Sequence, residues 1–192
     1  MNTKDYLKMI IFESPLISKM VNRAKEISRE QHKDQTRRFT GEPYHVHPER
    51  VADIIATNKK SKKMKHLVSA AYLHDTIEDA TMDYNKIKAL FGALVASLVQ
   101  ELTSDDKKIK EIGKTEYLKN KMSNMSSYAL VIKLADRLDN TQDLNNTSQK
   151  FKDKYIKETL SILDEIQKRR KLTRTQKKLV DMINNNIEKA NK

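Results

Sequence analysis

Apolar residues recur at the three-and-four spacing of amphipathic helices along most of the chain. The stripes predict helices at about 4–12, 16–33, 48–58, 63–78, 83–90, 92–103, 114–122, 126–140, 150–170 and 173–190. Val51, Ile54 and Ile55 form the stripe of the 48–58 helix, and Pro48 suits its first turn, where a missing N–H costs nothing. Asp83 and Thr173 stand where N-caps are expected. One stretch breaks the pattern. RRFTGEPYHVHP, residues 37–48, holds two of the three prolines and one of the three glycines, and predicts an irregular loop or a short β-hairpin near 37–47 turning at Thr40 and Gly41. With breakers this scarce, and none of the prolines after Pro48, the expected class is an all-α bundle of about ten helices. No repeat or low-complexity linker divides the 192 residues, so a single domain over 1–192 is expected.

Two of these helices carry ionisable residues on their apolar stripes. In KHLVSAAYLHDTIEDA, Leu67, Val68 and Ala71 are followed on the same face by His74, Asp75 and Glu78. An unpaired buried carboxylate costs several kcal/mol, so the stripe either turns its last residues into solvent or meets a compensating cation. YALVIKLADRLDN repeats the anomaly: Asp136 lies four residues after Ile132 on the most apolar helix, and Asn140 follows one turn later. His45 and His47 precede a helix start, where imidazole tends to stay neutral and able to bind a metal. A histidine of that loop, His74, Asp75 and Asp136 together offer two nitrogens and two oxygens. Manganese, iron, cobalt and zinc all suit such a set, and its oxygen-rich half leans towards manganese. A metal held this way polarises a phosphoryl oxygen and acidifies water, which is the chemistry of phosphoester hydrolysis.

Composition narrows the partners. There is no cysteine, so disulfides and thiolate metal sites are excluded. The 38 basic and 26 acidic residues leave a formal charge of +12, which favours anionic ligands. Residues 150–192 carry 13 Lys and Arg against 6 Asp and Glu, and NKKSKKMKH at 58–66 adds five lysines. These runs read as a solvated helical exterior, or as a surface for polyphosphate or RNA. MNTKDYLKMIIFESPLISKM is too broken by charge and proline for a signal peptide or a membrane span, and the expectation is a soluble cytoplasmic protein without membrane partners.

The segments RRFTGEPYHVHPERVADII, AAYLHDTIEDA, LFGALVASLVQELTSDDK and VIKLADRLDN, in this order across about 20–170, resemble the hydrolase domain of the RelA/SpoT family within the HD superfamily. Members of that family remove pyrophosphate from the 3′ position of (p)ppGpp. The resemblance implies an HD-domain helical bundle and a divalent metal, typically Mn2+, held by His47, His74, Asp75 and Asp136. His47 is the histidine directly before the proline. Glu78 and Asp79 match the acidic pair credited with activating or positioning the attacking water. Arg37 and Arg38 match a basic pair near the guanine base and phosphates, where a planar guanidinium can stack and bind bidentately. Tyr44, Asn140 and Asp143 fall where relatives border the nucleotide pocket. His32, His45 and His66 are expected at the surface or behind the ligands, and Lys133 is expected to reach solvent or a neighbouring carboxylate. Asp139 departs from the His or Tyr of many relatives and adds negative charge near a polyphosphate site. The absence of synthetase and regulatory sequence makes the chain similar to the small hydrolase-only members, including the metazoan SpoT homologue. The expected products are GDP or GTP and pyrophosphate. The alternatives are another phosphorylated nucleotide in the same site, such as ppApp or NADPH, and a non-enzymatic alarmone- or RNA-binding role.

Overall fold

The computed structural model describes residues 15–191, and among them ten α-helices, one 3-10 turn and no strand are found. The expected 4–12 helix lies outside the described residues. No described helix is long and apolar enough to cross a membrane. The helices group into two compact units, one comprising residues up to 37 and 41–103, the other residues 38–40 and 104 onwards.

The first unit contains α1 (Pro15–Gln31), α2 (Val46–Asn58), α3 (Met64–Leu73), α4 (Tyr84–Phe91) and α5 (Ala93–Leu102). Its centre is α3, in which Met64 and every residue from Leu67 to Leu73 are buried. A helix apolar all round must be covered all round, and α1, α2 and α5 each pack on it. Ser69, Ala70 and Ala71 are small enough for those neighbours to approach closely. Burying each of Leu67, Val68 and Leu73 contributes about 1.5–3 kcal/mol.

The expected helix over 63–78 is shorter in the structure and ends at Leu73. Side chains take over the carbonyls that the next turn needs. His74 Nδ1 lies 2.7 Å from the Ala71 carbonyl, and the Thr76 hydroxyl donates to the Leu73 carbonyl at 2.8 Å, alongside the Thr76 N–H at 3.0 Å. Such local bonds compete with helix propagation. The sequence HDTIED is therefore a turn beyond the helix. Asp83 then caps α4, its carboxylate accepting from the Lys86 N–H at 2.9 Å. Gly92, at φ 83°, lets α5 begin directly after α4.

The expected loop or hairpin near 37–47 is a tight turn with one antiparallel bridge, Thr36 to Pro43. The Arg37 N–H donates to the Glu42 carbonyl at 2.8 Å and the Tyr44 N–H to the Gln35 carbonyl at 2.9 Å. Pro43 has no N–H to extend the ladder.

The second unit contains α6 (Asp106–Ile112), α7 (Lys114–Asn124), α8 (Ser127–Gln142), the 3-10 turn Leu144–Asn146, α9 (Gln149–Arg169) and α10 (Arg174–Ala190). Here α8 is the buried element, packed on α10, while α7 packs on α9. The apolar pattern does not reveal α6, because none of its residues is buried. It starts where the Asp105 carboxylate accepts from the Lys107 and Lys108 N–H groups at 3.1 and 3.2 Å. Thr173, the N-cap of α10, forms a capping box with Gln176, and Gln176 also donates to the Ser127 carbonyl at 3.0 Å. Arg137 bolts α8 to α9. Its guanidinium donates to the Thr159 hydroxyl at 2.8 Å, lies 3.4 Å from the Glu158 carboxylate and covers the Tyr155 ring at 5.2 Å.

Arg137 and Glu158 are only 5% and 8% exposed, so removing the cation strands a buried carboxylate. Arg137→Ala is expected to lower unfolding stability by about 3–5 kcal/mol, measured by urea titration. A loss below about 1 kcal/mol would mean that the pair is screened like a surface ion pair.

Candidate active site

The turn that ends α3 presents His74 and Asp75, and the start of α2 presents His47. All three belong to the first unit. His74 Nε2 lies 2.9 Å from Asp75 Oδ2, and His47 Nε2 lies 3.8 Å from the same oxygen. The two imidazole rings meet edge-on, with centroids 5.2 Å apart. Tyr44 donates its hydroxyl to that same Oδ2 at 2.8 Å.

Protonation decides what this cluster can do. A carbonyl only accepts, so the 2.7 Å contact with Ala71 places the His74 proton on Nδ1. When the ring is neutral, Nε2 is then a lone pair. Nε2 is buried and has no hydrogen-bond partner, even though Asp75 Oδ2 is close. Two acceptors at 2.9 Å repel each other unless a cation lies against both. For metal bonds of about 2.1 Å, two ligands at a right angle sit roughly 3.0 Å apart. The spacing and the donor types therefore fit a divalent cation, with the hydrogen bond to Ala71 orienting a ring that would bind through Nε2.

Support comes from residues behind the ligands. His32, fully buried, packs against Tyr44 with the rings tilted by 39° and their centroids 4.9 Å apart, and burial lowers its pKa from the ordinary value, which keeps the ring neutral. Its Nδ1–H donates to Gln35 Oε1 at 2.7 Å. His45, the other histidine of the loop, instead has Nδ1 3.1 Å from Glu49 Oε1. His66, half-buried on α3, has its pKa lowered by burial.

Glu78 and Asp79 are exposed on the turn after Asp75, and the Asp79 N–H donates to the Asp75 carbonyl at 2.8 Å. Arg37 is half-buried and its carbonyl accepts from Gly41 at 2.9 Å. In the second unit, the exposed Arg38 lies over the Phe39 ring at 5.3 Å, and Phe39 packs on Phe151 of α9 at 4.6 Å. Asp136 is buried on α8. Lys133 Nζ approaches its Oδ2 at 2.8 Å, and Asn140 donates to its Oδ1 at 2.7 Å. Lys133 thus takes the carboxylate, one of the two destinations expected for it. Asn140 reaches Asp136 directly. Asp143 ends α8, and its carbonyl accepts from the Asn146 N–H at 2.9 Å. Asp139 is fully buried. Of the C-terminal cations, Lys168 and Arg169 pair with Asp164 and Glu165, whereas Arg174, Lys177 and Lys178 are exposed on α10. Pattern reading overlooks Gln31 and Gln35. The signal open to it is the His32–Gln35 spacing of three in an otherwise charged stretch.

Comparison with known proteins supplies an independent finding. The HD domain family profile matches residues 24–172. A guanosine-3′,5′-bis(diphosphate) 3′-pyrophosphohydrolase of Aquifex aeolicus is 35% identical over 166 residues, covering 81% of this chain and 22% of the relative. The 3′-pyrophosphohydrolase MESH1 of Danio rerio is 37% identical over 126 residues, 65% of this chain and 67% of the relative. The bifunctional (p)ppGpp synthase/hydrolase SpoT of Escherichia coli is 35% identical over 149 residues, 75% of this chain and 21% of the relative. The chain thus spans only about a fifth of the Aquifex and Escherichia proteins. A solved structure described as a metazoan ortholog of SpoT that hydrolyses ppGpp superposes with a TM-score of 0.73 at 25% identity, covering 86% of this chain and 94% of that one.

Calorimetric titration with Mn2+ checks the metal assignment. His74→Ala and Asp75→Ala are expected to abolish detectable binding, and Tyr44→Phe to weaken it about 10–100-fold by freeing the carboxylate. Unchanged affinity in His74→Ala would remove the site from α3.

Proposed function

This chain belongs to the HD domain family, in the branch that holds the guanosine-3′,5′-bis(diphosphate) 3′-pyrophosphohydrolases, and from that premise we propose that it removes the 3′-pyrophosphate of (p)ppGpp. The observation that carries the reading is the meeting of His47 Nε2, His74 Nε2 and the Tyr44 hydroxyl at one oxygen of Asp75. His47, His74, Asp75 and Asp136 would hold a divalent ion, Mn2+ by preference for a set half imidazole and half carboxylate. When bound there, the ion supplies Lewis-acid polarisation of the phosphoryl group and acidifies water.

The chain's own groups do the rest. Glu78, with Asp79 beside it, takes the proton from the attacking water and returns one to the leaving 3′-oxygen. Arg37 and Arg38 hold the guanine base and phosphates, bidentate hydrogen bonding and stacking both being open to a guanidinium. Tyr44 keeps Asp75 in place. Asn140 orients Asp136 and, with Asp143, borders the nucleotide. Water gains the pyrophosphoryl group, the bond from the 3′-oxygen to phosphorus breaks, and GDP or GTP leaves with pyrophosphate. The family profile runs across both units, which supports treating them as one hydrolase domain. The setting is the cytoplasm, where such nucleotides are made.

Incubation of the protein with ppGpp and Mn2+, followed by anion-exchange chromatography, is expected to yield GDP and pyrophosphate, with His74→Ala and Asp136→Ala at background. Glu78→Gln is expected to keep the metal and lose about 10²–10⁴ in kcat. Because the metal is blind to the base, kcat/KM across ppGpp, ppApp and NADPH identifies the substrate. A product yield from ppGpp no greater than that of His74→Ala removes this function.

A further inference from the structure

The segment from His74 to Met82 carries two ligand candidates and both acids of the proposed reaction, yet it is not helical. Its own backbone contributes the Asp79 N–H bond to the Asp75 carbonyl at 2.8 Å and the Met82 N–H bond to the Thr76 carbonyl at 3.2 Å. The outer part of the segment is tied from elsewhere. Gln31, the last residue of α1, accepts from the Thr81 N–H at 3.0 Å and from the Thr81 hydroxyl at 2.8 Å, both at Oε1. Gln35, four residues on, donates from Nε2 to the Asp79 carbonyl at 2.8 Å.

The amide of Gln35 cannot turn over at no cost. Its oxygen takes the His32 Nδ1–H at 2.7 Å, so a flip would set NH2 against N–H on one side and oxygen against a carbonyl on the other. The Gln35 backbone carbonyl also accepts from Tyr44, whose hydroxyl holds Asp75. One residue therefore fixes Asp75 through Tyr44 and Asp79 directly, while Gln31 fixes Thr81 two residues further on.

We infer that Gln31 and Gln35 are positioning residues that set where Glu78 and Asp79 stand, an inference that rests on the hydrolase reading above. Both acids are solvent-exposed on a turn, and such a segment opens locally at little cost unless it is tethered. General-base geometry is demanding, and a misplacement of about 1 Å costs on the order of a hundredfold in rate. The two tethers have opposite polarity towards the segment: Gln31 serves as an acceptor and Gln35 as a donor. Replacement by glutamate, nearly isosteric, separates them. At position 31 it keeps the acceptor, and at position 35 it places an acceptor against the Asp79 carbonyl.

The test uses the full chain loaded with Mn2+ and ppGpp as substrate, together with amide hydrogen exchange at Thr81. Gln31→Ala and Gln35→Glu are each expected to lower kcat by about a hundredfold with KM and Mn2+ affinity unchanged. Gln31→Glu is expected to restore most of the kcat lost in Gln31→Ala, and Thr81 exchange is expected to quicken in Gln31→Ala and not in Gln31→Glu. Native turnover in Gln35→Glu, a parallel fall of kcat and Mn2+ affinity, or Gln31→Glu no better than Gln31→Ala would each overturn the positioning role. If the native chain leaves ppGpp intact, the hydrolase reading fails. The tether is then judged by Thr81 exchange alone, and equal rates in native and Gln31→Ala protein reject it.

Discussion

The hydrogen bond from His74 Nδ1–H to the Ala71 carbonyl, 2.7 Å long, governs most of the chemistry in this molecule. It uses a helix carbonyl that the next backbone N–H would have taken, which helps stop α3 at Leu73. It also decides the tautomer. With the proton held on Nδ1, Nε2 of the neutral ring has only a lone pair to show, and it lies 2.9 Å from Asp75 Oδ2. One bond thus ends the helix, turns the chain into the acid-bearing segment and creates a donor for a cation.

The two units treat buried charge differently. In the first, His74 Nε2 and Asp75 Oδ2 lie 2.9 Å apart, with His32 and Tyr44 packed behind them. In the second, Asp136 is balanced on its own helix by Lys133 three residues earlier and Asn140 four residues later. Residues three and four apart on a helix are neighbours, so these side chains meet on one face. Arg137 repeats the principle between helices, with the Thr159 hydroxyl and the Glu158 carboxylate as its partners.

Much of this was legible in the residues themselves. Nine of the expected helices correspond to α1–α5 and α7–α10 within a few residues at most ends, because each buries an apolar stripe, and Asp83 and Thr173 cap as their chemistry requires. The misses have physical causes. Residues 106–112 bury nothing, so their helix leaves no periodic trace and depends on the Asp105 cap. The C-terminal end of α3 was placed five residues late, because helical spacing continues through His74 and Glu78 while side-chain bonds to Ala71 and Leu73 carbonyls, invisible to periodicity, end the helix. His74, Asp75 and Asp136 stood out as charge on apolar faces. Gln31 and Gln35 did not, since a neutral amide in a polar stretch carries no such contradiction.

The complete burial of α3 also has a consequence during synthesis. Its coverings come from both sides of the sequence: α1 and α2 precede it, and α5 is finished only at Leu102. At about 5–20 residues per second on the ribosome, roughly 1.5 to 6 seconds separate the completion of α3 from the completion of its last cover. During that interval the run Leu67–Leu73 has one flank unshielded. The helix that anchors the chemistry of the finished protein is then an adhesive surface of the nascent chain, of the kind that a chaperone for apolar segments holds.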